Sequence, residues 1–269
     1  MMYSYSASIW HSIPSNLDRK IETCIDEACN HLGMKGVGYI FFRADDVAVP
    51  SRRFDRLLQL FSSYRVPLSL AVVPAWLTGF RWKNLKKPGQ KSPELWCWHQ
   101  HGWRHVNHEK KGKKQEFGPD RSHVRIRKDI LKGKHRLEIL MEELFYPVFT
   151  PPWNRCSLDT LNVIKELGYY AVSREKGSLL PSPDGLFDFQ IHVDLHTRKS
   201  VNPIEDWNSL FTEISQAISS GNCGIMIHHQ RMNDAAFGFL ELFLKTFVKR
   251  KNLVPVHFKD MVVIEACCR

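Results

Sequence analysis

The amino-acid sequence predicts an α/β fold: a parallel sheet closed into a TIM-like (β/α) barrel. Three observations carry that expectation. Short apolar runs of β-forming residues alternate with amphipathic stretches of helical period through most of the chain. Seven or eight such runs occur, which favours a closed barrel over an open sheet. Polar residues with useful chemistry recur at the C-terminal ends of these runs, the end at which barrels build active sites. No linker divides the 269 residues, so one domain spanning 1–269 is expected.

The elements follow in order. Residues 18–32 carry Ile21, Cys24, Ile25 and Ala28 on one stripe, a helix stopped by Gly33. Residues 37–42 are β-formers and read as a buried strand, ending at Asp45 and Asp46. Pro50 and Ser51 open a helix with Phe54, Leu57, Leu58, Leu60 and Phe61 inward. A second strand covers 67–73, and 75–93 is loop-rich. A third strand, 95–98, runs into a histidine-rich segment. Residues 106–121 form a long basic loop, a lid or a mobile excursion. A helix over about 122–145, interrupted at Gly133, leads to a fourth strand at 147–150. Ser157 caps a helix through Leu167, and 169–173 is the fifth strand. After a loop over 174–188 comes a sixth strand, 189–193, ending at Asp194 and His196. A helix at 205–219 precedes the seventh strand, 223–227, which ends at His228 and His229. A helix at 234–249 and a strand at 254–258 complete the chain.

Composition narrows the class. With 43% hydrophobic and 25% charged residues the chain reads as soluble and globular. Its formal charge of +10 admits an anionic partner. Much of that excess lies in Lys110–Lys114 and between Arg121 and Arg136, however, where a solvated loop and helix face suffice. The seven cysteines are scattered, with no CxxC pair, and the adjacent Cys267 and Cys268 would make a strained bridge. Together with an N-terminus unlike a signal peptide, this points to a reduced, cytoplasmic protein. No apolar run approaches the ~18 residues of a membrane span.

Four histidines fall in the eleven residues from Trp98 to His108. His101 and His105 are spaced i, i+4, so a helical turn there would project both imidazoles from one face to share a cation. Core packing explains any one such histidine equally well. The coincidence of strand ends decides: Asp45–Asp46, His101 with His105, Pro151–Asn154, Asp194 with His196, and His228–His229 would converge on one barrel face. Two imidazoles and one carboxylate leave open positions on a divalent ion, as catalysis requires. An ion so held activates water near neutral pH. The second carboxylate of the pair can take a proton, and a histidine from another strand can protonate a leaving amine. That inventory suits hydrolysis of an amide, ester or similar carbonyl.

These residues resemble the polysaccharide deacetylase family (NodB homology, carbohydrate esterase family 4). The family's Asp-Asp strand end is matched by Phe41-Phe-Arg-Ala-Asp45-Asp46-Val, and its His-x-x-x-His motif by His101-Gly-Trp-Arg-His105. Phe149-Thr-Pro-Pro-Trp-Asn154 looks like its third motif and Ile225-Met-Ile-His228 its last. The resemblance covers about 37–230 and implies a distorted (β/α)7 barrel. It implies Asp45 as general base and Asp46, His101 and His105 as ligands of one divalent ion, most often zinc. His228 would be the acid, with His229 its rival. Pro152, Trp153, Asn154 and His229 would contact substrate, and Trp76, Trp82 and Trp103 are further candidates to stack on a sugar. The substrate would be an N-acetylated sugar or glycan precursor. Two departures stand out: Val47 replaces a Gly, and Phe149 or Thr150 stands where the third motif has Arg, leaving Arg43 and Arg155 as replacements.

Two rival readings keep the pocket: hydrolysis of another non-peptide C–N bond on the same metal site, and a degenerate carbohydrate-binding protein. A nucleic-acid binder using the 110–136 segment has no recognisable motif behind it, so no specific nucleic-acid partner is expected.

Overall fold

The computed structural model describes residues 6–32, 36–198 and 200–267. The strands are β1 (Gly38–Val47), β2 (Leu68–Val72), β3 (Trp96–His101), β4 (Phe145–Thr150), β5 (Ala171–Val172), β6 (Phe187–Asp188), β7 (Val193–Asp194), β8 (Asn222–Ile227) and β9 (Leu253–Val256). The helices are α1 (Leu17–Asn30), α2 (Arg52–Ser63), α3 (Gly79–Lys86), α4 (His123–Met141), α5 (Leu158–Glu166), α6 (Pro203–Ser219), α7 (Asp234–Phe247) and α8 (Phe258–Cys267). These strand pairings are all parallel, in the order β6-β5-β4-β3-β2-β1-β8-β7, with β9 against β1.

The sheet curls because one extended segment, residues 187–194, bonds both of its neighbours. Phe189 N donates to Val172 O at 2.9 Å and Ile191 N to Arg174 O at 2.7 Å. One residue on, His192 N donates to Gly224 O at 2.8 Å on β8. The sequence-predicted sixth strand is therefore two short pairings, β6 and β7, on either side of a turn of partner.

Side-chain alternation sorts each strand into two faces. On β1, Ile40, Phe42 and Ala44 pack outward under the helices, while Phe41 points inward. Cys97, Val148, Ala171, Phe189, Ile191 and Met226 fill the interior with it. The outer layer is held by helix stripes such as Phe54, Leu57, Leu58 and Phe61 of α2, all 0% exposed. Burial of each contributes roughly 1.5–3 kcal/mol. Ser51 starts α2 by accepting from Phe54 N at 3.2 Å, and Ser157 starts α5 by accepting from Thr160 N at 3.2 Å.

The floor is closed by a helix that starts at the last residue of the predicted terminal strand. After β9 the chain enters α8, where a terminal strand alone was expected. Phe258 of α8 plugs the barrel, 5.5 Å from the Phe41 ring and 5.4 Å from Phe189. Its backbone N–H donates to Ser69 Oγ at 3.1 Å. Consecutive Val262, Val263 and Ile264 read as β-formers in isolation, but tertiary packing overrides that propensity. Helix α3 falls within the stretch read as loop, capped by Thr78, which accepts from Arg81 N at 3.2 Å.

Helix α4 runs through Gly133 without interruption. A Cβ there would lie 2.3 Å from Gln100 Nε2, so glycine permits close helix–strand approach. The expected stop of α1 at Gly33, and Cys268, lie outside the described residues. No helix among the described residues is long and apolar enough to cross a membrane.

Candidate metal centre and active-site cleft

Asp46, His101 and His105 converge at the C-terminal ends of β1 and β3. Their candidate ligand atoms lie within 4.8 Å of one another. Asp46 Oδ1 sits 3.3 Å from His101 Nε2 and 3.3 Å from His105 Nε2. That oxygen is buried with no hydrogen-bond partner, although buried polar atoms normally have one. Two imidazole nitrogens converging on an orphaned carboxylate oxygen make a donor set suited to a divalent cation.

The route by which His105 arrives differs from the sequence expectation. No helix follows β3. Gly102 and His105 both take left-handed backbone, φ 58° each, and fold the chain back so that two side chains four residues apart meet. The turn is held by Glu116, which is 0% exposed. Its carboxylate accepts from the backbone N–H groups of Trp103 (3.1 Å), Arg104 (2.6 Å) and His105 (3.1 Å). A Cβ at Gly102 would come within 2.3 Å of Glu116 Oε2. The basic loop supplies, through Glu116, the anchor of a candidate metal ligand.

His101 is oriented from behind. Its Nδ1 donates to Thr150 O at 3.0 Å, because a carbonyl can only accept, so in the neutral ring the lone pair is on Nε2, facing Asp46. Burial alone would lower its pKa, but Asp46 and Asp45 outweigh burial and raise it. His105 falls to about 4, through burial and the neighbouring His101. Burial alone would raise the Asp46 carboxyl; His101, His228 and His105 outweigh it and hold that group well below the usual carboxylate range.

Asp45 is 3% exposed and faces inward beside the triad. Arg43, two residues back on the same face of β1, grips it with both arms: Nε to Oδ1 at 2.7 Å and Nη2 to Oδ2 at 2.8 Å. Arg43 is 0% exposed and also donates to Ser173 O (3.0 Å), Ser173 Oγ (2.8 Å) and Asn154 Oδ1 (2.5 Å). Burial would raise the Asp45 pKa, but Arg43, with His101 and His228, lowers it. Arg155 pairs instead with Glu175 at 3.6 Å. Of the two candidate replacements for the missing arginine, Arg43 is the one on the carboxylate.

Alternation along β8 separates the two terminal histidines. Gly224 and Met226 point inward, and His228 continues that face, its Nε2 4.0 Å from Asp46 Oδ2. His229 points outward, 1% exposed, with its ring 5.3 Å from Phe54, and burial lowers its pKa to about 3. It does not line the cleft, contrary to the expectation of substrate contact. Pro152 is also buried, against Gly102, while Trp153 and Asn154 do line the cleft. Trp153 packs 4.4 Å from the His105 ring. Trp76 is 36% exposed beside the same ring, and Trp82 and Trp103 are buried. His99 lies one layer below the site, 0% exposed, bonded to Thr150 Oγ1 at 2.9 Å.

The cleft has a volume of about 400 Å³ and is lined by Asp45, Asp46, His101, His105 and His228, among others. Asp46, His105, Trp153 and Asn154 all have φ between 57° and 60°. Such backbone costs about 1–3 kcal/mol per residue and tends to cluster at functional sites.

No protein-family model matches the chain, and no curated protein matches it. Solved structures do. A candidate polysaccharide deacetylase from Mycobacterium smegmatis superposes with a TM-score of 0.64 at 15% identity, covering 86% of this chain and 90% of that one. The family 4 carbohydrate esterase domain of a multidomain xylanase, from a Trinervitermes trinervoides hindgut metagenome, gives 0.55 at 12% identity over 86% and 92%. A family 4 pseudoenzyme from Bacillus anthracis gives 0.52 at 11% identity over 84% and 66%. The chain therefore has the distorted (β/α)7 barrel of polysaccharide deacetylases and family 4 carbohydrate esterases.

Proposed function

We propose that this protein is a metal-dependent hydrolase that removes the N-acetyl group from an acetylated sugar or glycan precursor. The observation that supports this most is a single cluster: Asp45 locked by Arg43, beside an Asp46–His101–His105 donor set, with His228 across Asp46. The buried, unpartnered Asp46 Oδ1 fits a divalent ion, zinc first. Such an ion would polarise the amide carbonyl and acidify water. Asp45, kept anionic by its arginine, takes the proton of the attacking water. His228 donates a proton to the nitrogen as the C–N bond breaks, giving a free amine and acetate. Trp153 and Asn154 border the sugar.

The test is acetate release from N-acetylglucosamine derivatives by chelator-treated protein restored with zinc or cobalt. Metal-dependent release that falls by about 10²-fold or more in Asp45→Asn is expected. No release with either metal would refute the reading.

A further inference from the structure

Among the described residues, the charged groups lining the cleft have ion-pair or hydrogen-bond partners, with one exception. Arg43 neutralises Asp45, and the imidazoles surround Asp46. Glu175 pairs with Arg155 at 3.6 Å and Glu213 with Arg198 at 2.5 Å. Asp194 accepts from the backbone N–H groups of His196 (2.8 Å) and Thr197 (3.2 Å), and from the Thr197 hydroxyl. Arg231 also lines the cleft and is half-buried. Among the described residues its guanidinium has no ion pair and no hydrogen bond; only its backbone N–H is engaged, to His228 O at 2.9 Å.

The backbone of Arg231 is held in place. It ends the short turn His229–Arg231 that follows His228. Gln230 Nε2 in that turn donates to Asp46 O at 2.7 Å, and Arg53 Nη1 donates to Gln230 O at 2.6 Å. Arg231 is thus carried by the turn that carries the acid. In the reaction above the acid faces the leaving nitrogen, and that nitrogen stays with the sugar. Arg231 lines the same cleft three residues past His228, so an anion it holds belongs to the molecule bound there.

Resting on the proposed deacetylation, we infer that Arg231 is an anion subsite, and that the substrate is an N-acetyl sugar bearing a phosphate or carboxylate. A planar guanidinium matches either group bidentately. A half-buried cation without an ion-pair partner is free to take an anionic group.

The test is isothermal titration of the full chain with four product-like probes: glucosamine 1-phosphate, glucosamine 6-phosphate, glucosaminuronate and neutral methyl glucosaminide. At least one anionic probe should bind about 10- to 100-fold tighter than the neutral one, the range of a charge-assisted contact. The advantage should shrink as salt rises. Arg231→Gln should abolish it, and Arg231→Lys should retain part of it. The phosphate and uronate arms identify the anion and its place on the sugar. Equal affinity for all four probes, or an advantage that survives in Arg231→Gln, would overturn the subsite. Acetate release from the acetylated probes is scored separately, so failure of the deacetylase reading is visible by itself.

Discussion

Replacing Glu116 by Gln tests how the metal centre is assembled, because Glu116 touches no ligand side chain. In the native protein its two oxygens accept three backbone N–H bonds of 2.6–3.1 Å from residues 103–105. A glutamine oxygen in place of Oε2 keeps the bonds from Trp103 and His105, without the charge. The amide NH2 then faces Arg104 N–H, and that bond is lost. Three charged bonds at roughly 1.5–3 kcal/mol each become two neutral ones at roughly 0.5–1.5. Relief from burying a carboxylate, several kcal/mol, offsets much of the difference. The net loss in stability is therefore small, about 1–3 kcal/mol, and the fold survives.

Metal binding should suffer more visibly. His105 is held at φ 58° by this anchor, and release lets its imidazole leave the Asp46 oxygen. An outer-layer partner of a ligand is worth about 10- to 100-fold in affinity, or roughly 1.4–2.7 kcal/mol. Zinc titration of the folded variant, with its Tm measured alongside, is the assay. An affinity within about twofold of wild type would refute the anchoring role.

Three further outcomes follow from the geometry. Arg43→Gln should strand a buried carboxylate, costing about 3–5 kcal/mol in stability; in protein that still folds, Asp45 titrates higher and the acid limb of kcat moves to higher pH, whereas an unmoved limb contradicts the pairing. His228→Ala should lower kcat by about 10²–10⁴-fold with little change in Tm, and His229→Ala should do the reverse, losing about 1–3 kcal/mol of packing; kinetics and melting curves on the pair check both. The raised His101 pKa fixes the sign of a pH effect: below about 6.5 the imidazole is protonated in both folded and unfolded chains, so its stabilising contribution to metal-free protein is fully present there and fades as pH rises through the raised value. Metal needs the neutral ring, so affinity should weaken as pH falls through that same value; calorimetry showing pH-independent affinity between pH 6 and 8 would count against it.

The β/α rhythm and the strand-end residues were legible in the sequence because both depend on local period and position. The choice between His228 and His229 was also encoded there, in the two-residue alternation from Gly224 and Met226, and Arg43 is placed by the same alternation from Asp45. Glu116 carried no such signal: it is one of three acidic residues in a basic loop, with Glu109 and Asp120, and its partners are backbone groups brought near by a left-handed turn. That turn also explains why the i, i+4 spacing of His101 and His105 picked out two imidazoles that do converge, though through a left-handed turn where a helix was expected. The split of the sixth strand and the α8 plug depend on which neighbours the barrel offers, which short apolar runs do not encode.

The most direct measurement is anomalous diffraction at the zinc edge from crystals of the full chain grown with zinc. A single peak is expected, with Asp46, His101 Nε2 and His105 Nε2 at about 2.0–2.2 Å from it. Zinc bound elsewhere, with these three side chains turned apart, would contradict the account.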